Sequence, residues 1–159
     1  MPLTCQDVYA KIRERFPDAV ERVEETAGDP FAVVRRERLV EVCRFLRDDP
    51  VLQFTYCACV SGVDDRATFW VVYHLHSIPG NHDAILKTDA GGREDPWVPS
   101  VCEVWPGADW HEREAYDMYG IRFEGHPDLR RILLPEDWPG YPLRKDYDFP
   151  DEYQGIPLK

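Results

Sequence analysis

Residues 52–60 alternate strictly, with Leu52, Phe54, Tyr56, Ala58 and Val60 separated by Gln53, Thr55, Cys57 and Cys59. A period of two sends successive side chains to opposite faces of a pleated strand, so this run commits the chain to a sheet with one buried face. Gly62 to Arg66 reads as a turn. Thr68 to Ser77 is the next strand, and Phe69-Trp70-Val71-Val72 makes it apolar on both faces at that end, as in a strand covered on both sides. After the Pro79-Gly80-Asn81 turn, Ala84 to Lys87 adds a short third strand. These runs predict a three-stranded meander over 52–60, 68–77 and 84–87, followed by a polar loop from Asp89 to Asp95.

The segments before the meander change period. Val8, Ile12 and Phe16 recur every four residues behind Thr4, and Pro17 ends the run, which predicts an amphipathic helix. Ala19 to Glu25 and Phe31 to Val34 read as two strands around a Gly28-Asp29-Pro30 turn. Arg36 to Leu46 carries Leu39, Cys43 and Leu46 on one stripe and predicts a second helix, closed by Asp48-Asp49-Pro50. Ser100 and Glu103 have capping-box spacing for a short helix ending at Trp105-Pro106. The expected architecture is α+β in two layers, a small mixed sheet with helices packed on one face. One domain is expected over residues 1–141, with an extended C-terminal arm over 142–159.

From Trp110 to Tyr147 the chain reads WHEREAYDMYGIRFEGHPDLRRILLPEDWPGYPLRKDY. Asp109 with Glu112 three residues on has capping-box spacing, and Gly120 supplies a left-handed stop after Tyr119. Arg113 and Asp117 are four apart, a spacing at which they can pair. Ile121 and Phe123 alternate with Arg122 and Glu124, a short strand. Gly125-His126-Pro127-Asp128 reads as a turn, with Asp128 capping Leu129-Arg130-Arg131. Arg130 and Arg131 are expected to reach back to Glu114 and Asp117, because a guanidinium fork can hold two carboxylate oxygens. Pro135, Pro139, Gly140 and Pro142 forbid a long helix or a central strand, so the arm runs extended and Leu143 and Tyr147 must bury against another surface.

The run EREAYDMYGIRFEGHPDLRRILLPEDWPGYPLRKDY resembles the signature of the 30-kDa (C) subunit family of proton-translocating NADH:quinone oxidoreductase, respiratory complex I. The upstream runs VSGVDD, FWVVYHLHS and EDPWVPSVCEVWPGADWHEREAYDMYG fit the same family in order, whereas the first fifty residues fit only in their pattern of elements. The resemblance implies a peripheral-arm component that supports the quinone-reducing module and carries no cofactor, while the complex uses FMN, iron–sulfur clusters and quinone. It implies contacts with other complex I subunits, chiefly the large D subunit and also the B and I subunits, on the cytoplasmic side of the inner membrane. It also marks Glu112, Arg113, Glu114, Asp117, Gly120, Gly125, His126, Pro127, Asp128, Arg130 and Arg131 as a packing and docking element, with Arg144 and Asp146 as partner contacts. Equivalent subunits of energy-converting hydrogenases and of coenzyme F420-linked or ferredoxin-linked quinone reductases share the motif, so the electron donor stays open.

A third reading comes from the residues alone. His74 and His76 are two apart on a strand and, with His82 and Asp83 beyond the turn, could ligate zinc in a free-standing metal hydrolase; a polar, exposed sheet face is the favoured explanation. Cys57 and Cys59 are expected on one strand face, but no second cysteine pair completes a four-thiolate site. His111-Glu112 begins like a zincin helix, yet Ala115 stands where the second histidine belongs. No P-loop, GxSxG or GxGxxG occurs. The charged cluster from Glu112 to Arg131 could in principle work as acid and base; buried charges must be paired, and three arginines are at hand to pair them. A net charge of −11 argues against nucleic acid or anionic lipid as a direct ligand. Neither a run of eighteen apolar residues nor a cationic start before an apolar core is present, so neither a bilayer span nor a secretory signal is expected. The five cysteines are an odd, irregular set that reads as reduced thiols.

Overall fold

The computed structural model describes residues 2–25 and 28–159. Its centre is a five-stranded mixed sheet in the order β1-β2-β5-β4-β3, built from β1 (Val20–Glu24), β2 (Phe31–Val34), β3 (Tyr56–Asp64), β4 (Phe69–Ser77) and β5 (His82–Gly91). The expected meander is present as β3, β4 and β5, joined antiparallel, and β2 adds to β5 in parallel. Helices α1 (Cys5–Arg15) and α2 (Leu39–Asp48) precede the meander, and α3 (Ala108–Tyr119) follows it. The α+β class and the mixed sheet therefore agree with the pattern in the sequence.

Local chemistry accounts for the helix ends. Thr4 caps α1, accepting from Asp7 N–H while the Asp7 carboxylate accepts from Thr4 N–H, a reciprocal capping box. α3 stops at Gly120, whose φ of 72° is left-handed. A Cβ there would also lie 2.5 Å from the Tyr141 ring and 2.7 Å from Arg144 Nη2. Gly120→Ala therefore meets both backbone strain, about 1–2 kcal/mol for a left-handed residue, and a clash that pushes Tyr141 and Arg144 away. A drop in thermal midpoint, with faster proteolysis around Tyr141, is the expected outcome; an unchanged midpoint would show that the segment after α3 gives way freely.

One face of the sheet makes the core. Phe69, Val71, Tyr73 and Leu75 of β4 and Ala84, Leu86 and Ala90 of β5 are buried against Val8, Ile12, Leu39, Val42 and Leu46 of the helices. Trp70, Val72, His74 and His76 point the other way and stay partly or fully exposed. So β4 is an interior strand with only one face fully covered, where Phe69-Trp70-Val71-Val72 suggested two.

Several boundaries move. Leu52 and Phe54 are buried but lie before β3, because Gln53 takes a φ of 45° and ends the extended run. Beyond it the phase reverses: Cys57 points inward and Tyr56 outward. The register slips between Cys57 and Cys59, which pair with Leu75 and His74 on opposite faces of β4. The two cysteines thus do not share a face. β3 runs on to Asp64 through the expected turn, and β5 extends from His82 to Gly91, absorbing the start of the expected polar loop. The segment 100–105 forms turns rather than a short helix.

A second, smaller pairing was not expected. β6 (Trp97–Pro99) pairs in parallel with β7 (Arg122–Glu124), the strand that Ile121 and Phe123 announced. It closes a loop around α3. A last hairpin, β8 (Glu152–Tyr153) with β9 (Ile156–Pro157), lies at the C-terminus. Among the described residues no helix is long and apolar enough to cross a membrane.

Candidate functional site

α3 and the strap that follows it, residues 120–147, hold nearly all the residues singled out from the sequence. The helix buries Glu112, Arg113, Ala115 and Asp117 and leaves Trp110 and Glu114 exposed. Two buried carboxylates on one helix demand partners, since an unpaired buried charge is costly. The strap and the turn before the helix supply them.

Asp117 is fully buried. Its Oδ2 accepts from the backbone N–H groups of Ile132, Leu133 and Leu134, at 3.0, 2.7 and 3.0 Å, and its Oδ1 accepts from Arg131 Nη1 at 2.9 Å. Burial works against ionisation, but the Leu133 and Leu134 N–H groups, Arg131 and the Ile132 N–H outweigh it, and the carboxyl titrates below the usual carboxylate range. Arg131 in turn reaches the carbonyls of Trp138 and Gly140 and lies over the Tyr141 ring. Asp117 is therefore the knot around which the strap folds.

Glu112 faces the other end. Its carboxylate accepts from Ser100 Oγ at 2.6 Å, Val101 N at 2.7 Å and Cys102 Sγ at 3.2 Å. It does not cap α3: the helix begins one residue after Gly107 with no side-chain cap, and neither Asp109 nor Glu112 plays the expected part. Ser100 is likewise spent on Glu112 instead of capping a helix at Glu103, which pairs with Arg44. Burial raises the Glu112 carboxyl above its ordinary value, against the lowering effect of its three donors. A raised pKa means that the folded state favours the protonated acid. The stability this contributes is complete below the ordinary glutamate pKa and fades as pH rises through the higher folded value. Wild type is thus expected to lose stability across that interval and Glu112→Gln to lose less, read from urea midpoints between about pH 4 and 8. Parallel curves for the two proteins would rule out this titration.

The remaining charges are distributed differently from the expectation. Arg113 does not pair with Asp117; it lies 3.7 Å from Asp109, over the Trp110 ring, and donates to the Arg130 carbonyl. Arg130 does not reach α3 but pairs with Asp128 in solvent, and Leu129–Arg131 forms no capped turn. Glu114 makes no ion pair among the described residues. Gly125, with a φ of 83°, and Pro127 shape the turn that seats His126, whose side chain is sealed from water. On the arm, Arg144 donates to the carbonyls of Tyr119 and Arg93 and sits between the Phe69 and Tyr141 rings. Asp146 meets Arg93. Both arm residues therefore contact their own domain.

Two residues with no prominence in the sequence organise that contact. Arg93 forks onto Asp64 at 2.8 and 2.9 Å, and Asp64 also accepts from Lys145 N and Arg66 N. Arg93 lies 29 residues from Asp64 and Lys145 lies 81 away, so no local spacing could have linked them.

Two sets of side chains bear on metal chemistry. His82 turns into the core, where Nε2 meets the Leu52 carbonyl at 2.9 Å and the ring stands edge-on to Phe54. His74 and His76 lie on the opposite face, with His76 bonded to Asp83. The three histidines therefore do not converge, which removes the hydrolase site. Cys102, Glu112 and His126 do converge, with their donor atoms within 4.8 Å of one another. Their hydrogen bonds argue against a metal. His126 Nδ1 accepts from Asp128 N–H, which places the ring proton on Nε2, facing the Asp109 carbonyl and Glu112. Burial pushes the Cys102 thiol up to about 12, and that thiol donates to Glu112. The cluster is a closed network of donors and acceptors.

The chain matches the family model described as "Respiratory-chain NADH dehydrogenase, 30 Kd subunit" over residues 32–153, which span β2 through the strap to β8. It is 49% identical over 92% of its length to the C subunit of NADH-quinone oxidoreductase from Roseiflexus castenholzii, covering 85% of that protein. It is 47% identical over 93% of its length to the protein of the same name from Chloroherpeton thalassium, of which it spans 62%. Against the Chlorobium phaeobacteroides protein of that name it is 45% identical over 93% of the chain and 91% of the relative. Among solved structures, a chain of an archaeal membrane-bound sulfane sulfur reductase, a respiratory membrane complex, superposes with a TM-score of 0.73 at 24% identity, covering 90% of this chain and 85% of that one. That likeness speaks to the fold alone.

Proposed function

The chain belongs to the family of the respiratory-chain NADH dehydrogenase 30 Kd subunit, and from that membership we propose that it serves as a peripheral-arm scaffold of a proton-translocating NADH:quinone oxidoreductase. In this reading the FMN, the iron–sulfur clusters and the quinone belong to other components of the complex. This chain positions the quinone-reducing module, chiefly against the D subunit with the B and I subunits beside it, on the cytoplasmic side of the membrane.

The observation that carries the proposal is the family match, which runs continuously through the sheet, α3 and the strap. The geometry supports a scaffold over an acid–base catalyst. Asp117 and Arg131 are engaged by backbone groups on every side, and Glu112 is enclosed by three donors. Groups held this way rigidify a surface.

Deleting the chain from its native host and restoring it on a plasmid tests the reading. The expected result is loss of assembled complex on native gels and loss of NADH:quinone reductase activity, both recovered together. A complex that assembles and reduces quinone at full rate without the chain would overturn it.

A further inference from the structure

We infer that the free edge of β3 receives an extended segment of a neighbouring protein in the complex as a sixth strand, seated in the groove between β3 and α3. β3 is the last strand of the sheet, nine residues long, with nothing paired on its outer side among the described residues. Exposed edges are normally guarded against pairing by charges or prolines. The opposite edge follows that rule: β1 reads VERVE, with three charges in five residues and a register slip against β2. β3 reads YCACVSGVD, and its one charge, Asp64, turns inward to Arg93. The slip between Cys57 and Cys59 bends only the start of the strand, leaving residues 59–64 in regular register.

The groove fits a strand. It is a cleft of about 280 Å³, with residues 59–62 of β3 as its floor and His111, Glu114 and Met118 of α3 as its wall, one helical stripe; Leu143 of the arm closes one end. A strand laid between a sheet edge and a helix gains backbone hydrogen bonds on one side and side-chain contacts on the other. Two features describe the occupant. Glu114 is the only acid or base lining the cleft besides His111, and it has no cation paired with it among the described residues. His111 lines the cleft half-buried, with its Nδ1 unbonded among the described residues. The segment that fits is extended and uncharged apart from one lysine or arginine opposite Glu114, with a polar group reaching His111.

This inference rests on the assembly reading above, and the test separates the two. Hydrogen–deuterium exchange is compared for residues 56–64 in the full free chain and in the purified native complex. In parallel, a benzophenone amino acid replaces Met118, and the photo-adduct in the intact complex is sequenced by mass spectrometry. The expected results are slowed exchange of the outward β3 amides on assembly, and an adduct on an extended, singly cationic segment of another protein of the complex. Glu114→Lys is expected to abolish that adduct. Equal exchange in the free chain and the complex overturns the strand pairing, as does an adduct on a second copy of this chain or on a helix. Exchange needs no substitution, so a misfolded variant cannot hide the answer. Absence of the chain from the complex would instead overturn the assembly reading, and the pairing with it.

Discussion

Asp117→Ala is expected to destabilise the folded chain by about 3–5 kcal/mol, the range found when one partner of a buried ion pair is removed. The loss is large because a single carboxylate answers four donors. Without it the Ile132, Leu133 and Leu134 N–H groups and the Arg131 guanidinium are left facing one another in a site closed to water. Asp117→Asn keeps one acceptor oxygen for the three amides but turns an NH2 toward Arg131, so it is expected to fall between wild type and alanine. The sign of the pH dependence follows from the lowered carboxyl. Asp117 stabilises the fold above the ordinary aspartate pKa, and that contribution is lost as pH falls through the lower folded value. Urea midpoints of the three proteins at neutral and acid pH give the measurement. Midpoints that coincide at pH 7 would mean the strap is not held through this residue. Within the complex, the expected outcome is less assembled enzyme with near-normal turnover per assembled complex. Full assembly with turnover lost would place Asp117 on a proton or quinone path and remove the scaffold reading.

Asp64→Ala is the second large effect. Asp64 is buried, and the fork from Arg93 first, aided by the Lys145 and Arg66 N–H groups, holds its carboxyl well below the usual carboxylate range. Its removal leaves Arg93 with Asp146 as its carboxylate partner and unpins the arm at Lys145; because Arg93 is partly exposed and keeps a partner, the cost is expected to be smaller than for Asp117, about 1.5–3 kcal/mol for hydrogen bonds to a charged group. The neighbouring pair offers an internal control. Asp146 bonds the same arginine from a side chain that is 57% exposed, so Asp146→Ala is expected to cost far less than Asp64→Ala. Limited proteolysis reads the difference directly: new cleavage between residues 141 and 149 is expected in the Asp64 variant and little in the Asp146 variant. Equal protection in both would show that the arm is held by Arg144 between Phe69 and Tyr141 alone. The same contacts bear on the expected division at residue 142. Leu143 remains half exposed, as an arm awaiting a partner would be, but residues 144–147 already bond to the body of the domain.

The sequence alone determined the parts whose causes are local. Four-residue spacing behind Thr4 and the Leu39-Cys43-Leu46 stripe specify α1 and α2, Gly120 specifies the end of α3, and alternation with intervening turn residues specifies the meander. Each of these is set by backbone conformation and side-chain period within a few residues. The long motif from Glu112 to Tyr147 also marked the family, because so specific an order of charged, aromatic and glycine residues seldom recurs by chance. Tertiary structure decided the rest. Whether Cys57 or Tyr56 faces the core depends on a left-handed Gln53 and a register slip that adjust β3 to α3 and β4. Glu112 and Asp117 show capping and ion-pair spacings that exist on paper, yet each finds better-placed donors elsewhere: Ser100, Val101 and Cys102 for one, and the amides of 132–134 for the other. A buried carboxylate takes the partners that leave no donor or acceptor stranded, and which groups those are depends on how distant segments pack, a choice that sequence spacing does not encode.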